Sequence, residues 1–229
     1  MPTRIVGFGG RAESGKTTAA EMLVAIAQPR RHTHIEFSDP IMQAAQAWLN
    51  SMANENMLDF GIAAERLSQV LGWFIAQDRG QNVADVGHVD SGYAARITDG
   101  TISRTITSET KSAHRPLLEW LGSGAITLYS VTVWGDTVTS KINAAAKDEA
   151  DLITVGGVRS VADYGVVKSA GGLVLRLHRG SGESANATER DLRTWIADFE
   201  ILNDGTLDSL RGQLEEVWQS TVNDLPDAR

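Results

Sequence analysis

The stretch RIVGFGGRAESGKTT, residues 4–18, decides the fold. Its opening RIVGF is a short apolar run bounded by glycine and reads as a buried strand, while from Lys16 onward Ala19, Met22, Leu23 and Ile26 recur at helical spacing. Between the two, Gly10, Gly15, Lys16 and Thr17 satisfy G-x-x-x-x-G-K-[ST], and strand, loop, helix is the context this motif requires. Glycines let backbone N–H groups curl around a polyanion, and the helix N-terminus adds partial positive charge. Lys16 then bridges the β- and γ-phosphates and the Thr17 hydroxyl ligates Mg²⁺. Arg11, Ala12, Glu13 and Ser14 form the rest of the loop and Thr18 follows it, so ATP with Mg²⁺ is the expected ligand pair.

Outward from this loop the pattern repeats. A second short strand around His34 runs into SDP, where Asp39 can cap and Pro40 can open a helix carrying Met42, Ala45 and Leu49. Later, DLITVGGV reads as a buried strand, RSVADYGVVKSAGG as a helix ended by Gly171 and Gly172, and LVLRLHR as another strand. Strands alternating with helices predict a parallel sheet covered on both faces, in a single α/β domain over residues 1–229. Residues 53–75 present a helical apolar face. Residues 77–113 are polar and Gly-rich, and within them ARITDGTISR sets Asp99-Gly100 between β-branched runs, the signature of a tight hairpin. LLEWLG and VTVWGDTVTSKINAAA suggest two helices, the second ambiguous because of its β-branched start. Past LVLRLHR, a helix is expected near Thr188, then a short strand at EIL, a helix over residues 206–218 and a loose tail.

Composition bounds the class. The chain has 229 residues, 42% hydrophobic and 22% charged, as in an ordinary globular protein with a substantial core. No apolar stretch approaches the roughly 18 residues of a membrane span, and no leader precedes the first strand, so no membrane partner and a cytoplasmic location are expected. There is no cysteine, which leaves chemistry to oxygen, nitrogen or a metal held by oxygens. The net charge of −8 argues against a phosphate-rich partner, but residues 187–229 carry ten Asp/Glu and four Arg, so the remainder is nearly neutral.

Three side chains outside both the loop and the polar insert invite chemistry. Arg115 precedes Pro116 at an expected helix N-terminus, where a cation is disfavoured unless an anion sits nearby; its stem packing on Trp120 is the other reading. Arg159 ends a buried strand at the edge where open α/β sheets bind ligands, a place that suits a phosphate or a salt bridge. Asp39 faces the same edge and serves either as a helix cap or as a base that accepts the proton of an alcohol. Arg96, Arg104 and Lys111 lie in the polar insert. The five histidines show no metal-ligand spacing.

GGRAESGKTT, EFSDPIMQAA, RPLLEWLG, GGVRSVADYGVVKSAGGLVLRLHR and ILNDGTLDSL, in that order, resemble the phage-type deoxynucleoside monophosphate kinases. The resemblance implies a P-loop kinase with a five-stranded parallel core. It implies that Arg115 and Arg159 meet phosphates, that Arg179 belongs to a lid over residues 179–190, and that Asn203 and Thr206 lie near adenine. Two departures stand out: Gly122, Ser123 and Gly124 replace the family's Gly-Thr-Glu, and Gly157 replaces an aspartate before Val158 and Arg159. Both remove carboxylates.

Three functions follow as expectations. The first is transfer of the γ-phosphoryl of ATP to a deoxynucleoside monophosphate. The second is a DNA kinase of related ancestry that phosphorylates the hydroxymethyl group of 5-hydroxymethyluracil in DNA, with Asp39 as base and the insert tracking the strand. The third is a nucleotide-binding switch without an acceptor.

Overall fold

The computed structural model describes residues 3–11, 13–54, 91–107, 109–128, 132–180 and 195–223. Five strands form one all-parallel sheet: β1 (Arg4–Gly10), β2 (His32–Glu36), β3 (Leu152–Val158), β4 (Leu173–His178) and β5 (Phe199–Leu202). Their order is β2-β3-β1-β4-β5. The strand that carries the glycine loop is thus central, and the residues that pair with it, such as Val6 with Leu173 and Phe8 with Gly156, fix its end between two neighbours. β3, flanked by β2 and β1, is buried along almost its whole length, as an interior strand of a sheet covered on both faces should be.

Alternation along the strands sorts side chains onto two layers. Val6, Phe8, Leu152, Leu175, Leu177 and Ile201 face α1 (Lys16–Ala27) and a C-terminal helix, where Ala19, Leu23, Leu210 and Leu214 meet them. Ile5, Ile35, Ile153, Val155 and Val174 face the opposite way, against Val138, Ile142 and Val167. Helix α1 starts where Gly15 turns left-handed and stops at Gln28, whose N–H bonds the Val24 carbonyl at 3.0 Å.

The other helices are α2 (Asp39–Asn54), α3 (Ser91–Thr98), α4 (Arg115–Leu128), α5 (Val133–Lys147), α6 (Val161–Ser169) and α7 (Leu207–Asn223). Helix α6 is opened by a capping box in which Ser160 and Asp163 exchange side-chain and backbone bonds. Burial raises the pKa of the Asp163 carboxyl, against the opposing pull of hydrogen bonds from Arg159 and Ser160. Helix α5 begins at Val133, so the segment is helical from there on, while Val131 lies outside the described residues.

The chain divides into two compact units, one of residues Met1–Phe37 and Val138–Arg229, the other of Ser38–Thr137. The first contains the sheet. The second closes around Trp48, Tyr93, Leu117 and Leu121, all fully buried, with Trp48 and Trp120 at 5.9 Å between ring centroids. Such an aromatic pair adds about 0.5–1.5 kcal/mol beyond its buried area.

Two expectations are corrected here. The hairpin at ARITDGTISR is not formed: residues 91–98 are helix α3 and Asp99-Gly100 is the turn that ends it. Tyr93 and Ile97, four apart, both enter the core, and that helical spacing overrides the local Asp-Gly signal. Asp39 is the first residue of α2 rather than the residue before it, and the Met42 N–H bonds the Ser38 carbonyl at 2.9 Å. The expected helices over residues 53–75 and near Thr188, the lid beyond Gly180, the C-terminal tail and Ala12 fall wholly or largely outside the described residues. Among the described residues, no helix is long and apolar enough to cross a membrane.

Candidate functional site

The glycine loop closes between β1 and α1 in the alternating backbone that turns successive N–H groups inward. Gly10, Glu13 and Gly15 have φ of 137°, 60° and 90°. For Glu13 that conformation is uncommon and costs roughly 1–3 kcal/mol, so the loop holds it against preference. Both glycines are also required by space. A Cβ on Gly10 would stand 2.7 Å from Ser14 Oγ, and one on Gly15 would collide with the side-chain amide of Asn203. Ser14 is buried beneath the loop.

Lys16 turns back over its own loop. Its ammonium donates to the Gly10 carbonyl at 3.0 Å and to the Arg11 carbonyl. Those carbonyls hold the charge against the loop. Thr17 and Thr18 are exposed in the first turn of α1.

Asn203, at the end of β5, is the residue that ties this loop to the far edge of the sheet. Its side-chain N–H donates to the Ser14 carbonyl at 2.9 Å, and its backbone N–H to the His178 carbonyl at 2.7 Å. Between the loop and this strand end opens a cleft of about 260 Å³, lined by Gly15, Thr18, Arg179, Asn203, Asp204, Gly205 and Leu207. Arg179 reaches the Glu13 carbonyl with a long contact of 3.4 Å. Thr206 does not line the cleft; its hydroxyl accepts from the Ser209 N–H at 3.2 Å and caps α7.

The sheet unit therefore brings together the loop, Arg179 and Asn203. Arg159 stands exposed just beyond β3, its backbone N–H bonded to Asp163 at 3.0 Å. Asp39 and Arg115 belong to the second unit. The electrostatic conflict at Arg115 is answered within its own helix: Nε donates to Glu119 at 2.7 Å, and both side chains are about two-thirds exposed. An exposed pair of this spacing contributes about 0.3–0.5 kcal/mol, little enough to yield to a competing phosphate. Lys111 donates to Ser38 Oγ at 2.7 Å, and Arg96 and Arg104 are exposed.

The donor chemistry for a divalent cation here is oxygen. Among the described residues, no three His, Asp or Glu side chains converge as a metal cage. Mg²⁺ is ordinarily held by phosphate oxygens, water and one or two protein oxygens, a demand that Thr17 fits.

Two features carried no local signal. The Asn203 clamp joins residues 189 apart. A polar ladder also runs along the edge of the sheet: Thr154 Oγ1, fully buried, lies 2.9 Å from His32 Nε2 and 2.8 Å from His34 Nδ1, and His34 Nε2 lies 3.2 Å from Glu36 Oε1. His32, His34 and Glu36 alternate along β2 and so share a face, a pattern visible in the sequence only once the strand is placed.

No protein-family model matches the chain, and no curated protein matches it. Among solved structures, TT1252 from Thermus thermophilus aligns over 99% of this chain and 100% of its own at 14% identity, with a TM-score of 0.39. At that level of similarity the alignment carries no argument about function.

Proposed function

We propose that this protein is an ATP-dependent phosphotransferase acting on a deoxynucleotide, and most specifically a deoxynucleoside monophosphate kinase. The observation that carries the reading is the loop itself: two sterically obligatory glycines, a left-handed Glu13, an ammonium held against the loop's own carbonyls, and an adjoining cleft walled by Asn203 and Arg179.

In this reading the loop N–H groups and Lys16 bind the β- and γ-phosphates, and the cleft beside Asn203 takes the nucleoside. A phosphate oxygen of the acceptor attacks the γ-phosphorus, the bond to the β,γ-bridging oxygen breaks, and ADP leaves with that electron pair. Mg²⁺, when bound, neutralises charge on the transferring group. The acceptor phosphate is already ionised and needs cationic clamps more than a base, which suits Arg159. Asp39, in the first turn of α2, then serves chiefly to complement the helix dipole.

The test offers labelled ATP to the protein with each deoxynucleoside monophosphate, with DNA containing hydroxymethyluracil, and with water alone. Label in a free diphosphate is the expected result. Label in DNA would replace this acceptor with an alcohol, and slow release of phosphate alone would reduce the protein to a nucleotide-binding switch.

A further inference from the structure

We infer that Glu36, at the end of β2, supplies the carboxylate that serves the metal of the bound triphosphate, in place of the acidic residue β3 lacks; the inference rests on the nucleotide reading above. Phosphotransferases with this loop commonly hold Mg²⁺ between the loop hydroxyl and a carboxylate from a neighbouring strand. Here β3, the strand beside β1, finishes Gly156-Gly157-Val158 and offers none.

The sheet shows where the carboxylate has gone. Glu36 pairs with Gly156, and Gly156 pairs with Phe8, two residues before Gly10. Residues abreast in a parallel sheet point to the same face. Phe8 belongs to the layer packed on α1, the helix whose first turn holds Lys16 and Thr17. The Glu36 side chain leans across β3 on that face. A Cβ added to Gly156 would collide with its carboxylate, and one added to Gly157 would stand 3.0 Å from Oε2. The absent side chain and the present carboxylate thus claim one volume. Glycine at 156 is what lets an acid from the edge strand reach toward the central one.

The acid is held rather than loose. One direction of donation satisfies the whole ladder: His32 Nε2–H to Thr154, the Thr154 hydroxyl to His34 Nδ1, and His34 Nε2–H to Glu36. In that direction His32 donates through Nε2–H and His34 accepts through Nδ1. Supporting bonds of this kind orient a metal-directed carboxylate, and the Glu36 side chain keeps 29% of its surface open for water or metal.

The test measures Mn²⁺ binding by electron paramagnetic resonance in the presence of a non-hydrolysable ATP analogue, alongside calorimetry of the same analogue in EDTA. Glu36→Gln keeps the acceptor for His34 and removes the charge. Its Mn²⁺ affinity in the ternary complex is expected to fall about 10- to 100-fold while metal-free nucleotide binding is unchanged. Glu36→Ala combined with Gly156→Asp returns an acid to β3 in the vacated space and is expected to recover most of the lost affinity. Gly156→Asp alone keeps both groups in one volume and is expected to destabilise the fold. Wild-type Mn²⁺ affinity in Glu36→Gln, an equal loss of metal-free nucleotide binding in that variant, or no recovery in a folded double variant would each overturn the inference while leaving the nucleotide site intact. A wild-type protein that binds no analogue would overturn the nucleotide reading and this inference together.

Discussion

The side-chain amide of Asn203 donates to the carbonyl of Ser14 at 2.9 Å, and the same amide fills the space that a side chain on Gly15 would need. One residue from the edge of the sheet therefore both fastens the glycine loop and walls the cleft beside it. A net hydrogen bond of this kind contributes about 0.5–1.5 kcal/mol. For Asn203→Ala we expect a several-fold loss of ATP affinity with little change in melting temperature. Unaltered affinity by calorimetry would remove Asn203 from the site.

Gly15→Ala adds a methyl group at φ 90°, where an L-residue is strained, and drives it into the Asn203 amide. Nucleotide binding should be abolished and stability reduced by roughly 1–3 kcal/mol. In Gly15→Ala with Asn203→Gly the collision is relieved but the strain is not, so only part of the stability should return. Chemical denaturation of the three variants separates the two costs.

Lys16→Ala is expected to leave the fold in place, since the ammonium donates to carbonyls of its own loop, those of Gly10 and Arg11. We expect phosphoryl transfer to fall by at least about 100-fold, the scale of removing one preorganised charge-stabilising group. Wild-type turnover in this variant would refute the role given to the lysine.

Asp39→Asn distinguishes acceptors. With a phosphate acceptor, Asp39 has a structural role, to which its placement as an acid in the first turn of α2 adds about 0.3–1 kcal/mol of stability. We expect kcat to change less than threefold. A drop of 100-fold or more with substrate binding retained would mark Asp39 as a base and favour an alcohol.

The second unit should lose stability in mild acid. His114 is fully buried and its Nδ1 lies 2.8 Å from the Tyr93 hydroxyl. Burial lowers the His114 pKa and raises that of Tyr93. A histidine whose folded pKa is below its unfolded one binds fewer protons when folded. Its stabilising contribution is therefore complete above about pH 6.5 and is lost as pH falls below that value. The melting temperature is expected to drop between pH 7.5 and 5.5, and to drop less steeply in His114→Asn. His32, lowered in the same sense, leaves a residual slope. Equal slopes in the variant and the wild type would show that His114 does not carry the effect.

The glycine loop's place between strand and helix, the alternation of strands with helices, and the parallel sheet were legible because each is written in contiguous residues: a short apolar strand, a spacing of three and four, a glycine at a fixed offset. The error at residues 95–104 has the same root. Asp99-Gly100 is a strong local turn signal, but whether its flanks pair as strands or wind as a helix depends on whether Tyr93 and Ile97 find a core to enter, and they do. Arg115 was legible as a conflict and not as its resolution, since the choice between Glu119 and a phosphate depends on what approaches the helix.

What the sequence by itself determined is the strand, the glycine-rich loop and the helix that follows it, because backbone curvature and helix polarity are set by neighbours along the chain. What only the tertiary structure decided is which distant side chains complete it. Asn203 meets Ser14 because β5 lies two strands from β1, and Glu36 occupies the place above Gly156 because β2 pairs with β3. Glycine at 156 leaves a space on β3, and the pairing of strands across the sheet determines which side chain fills it.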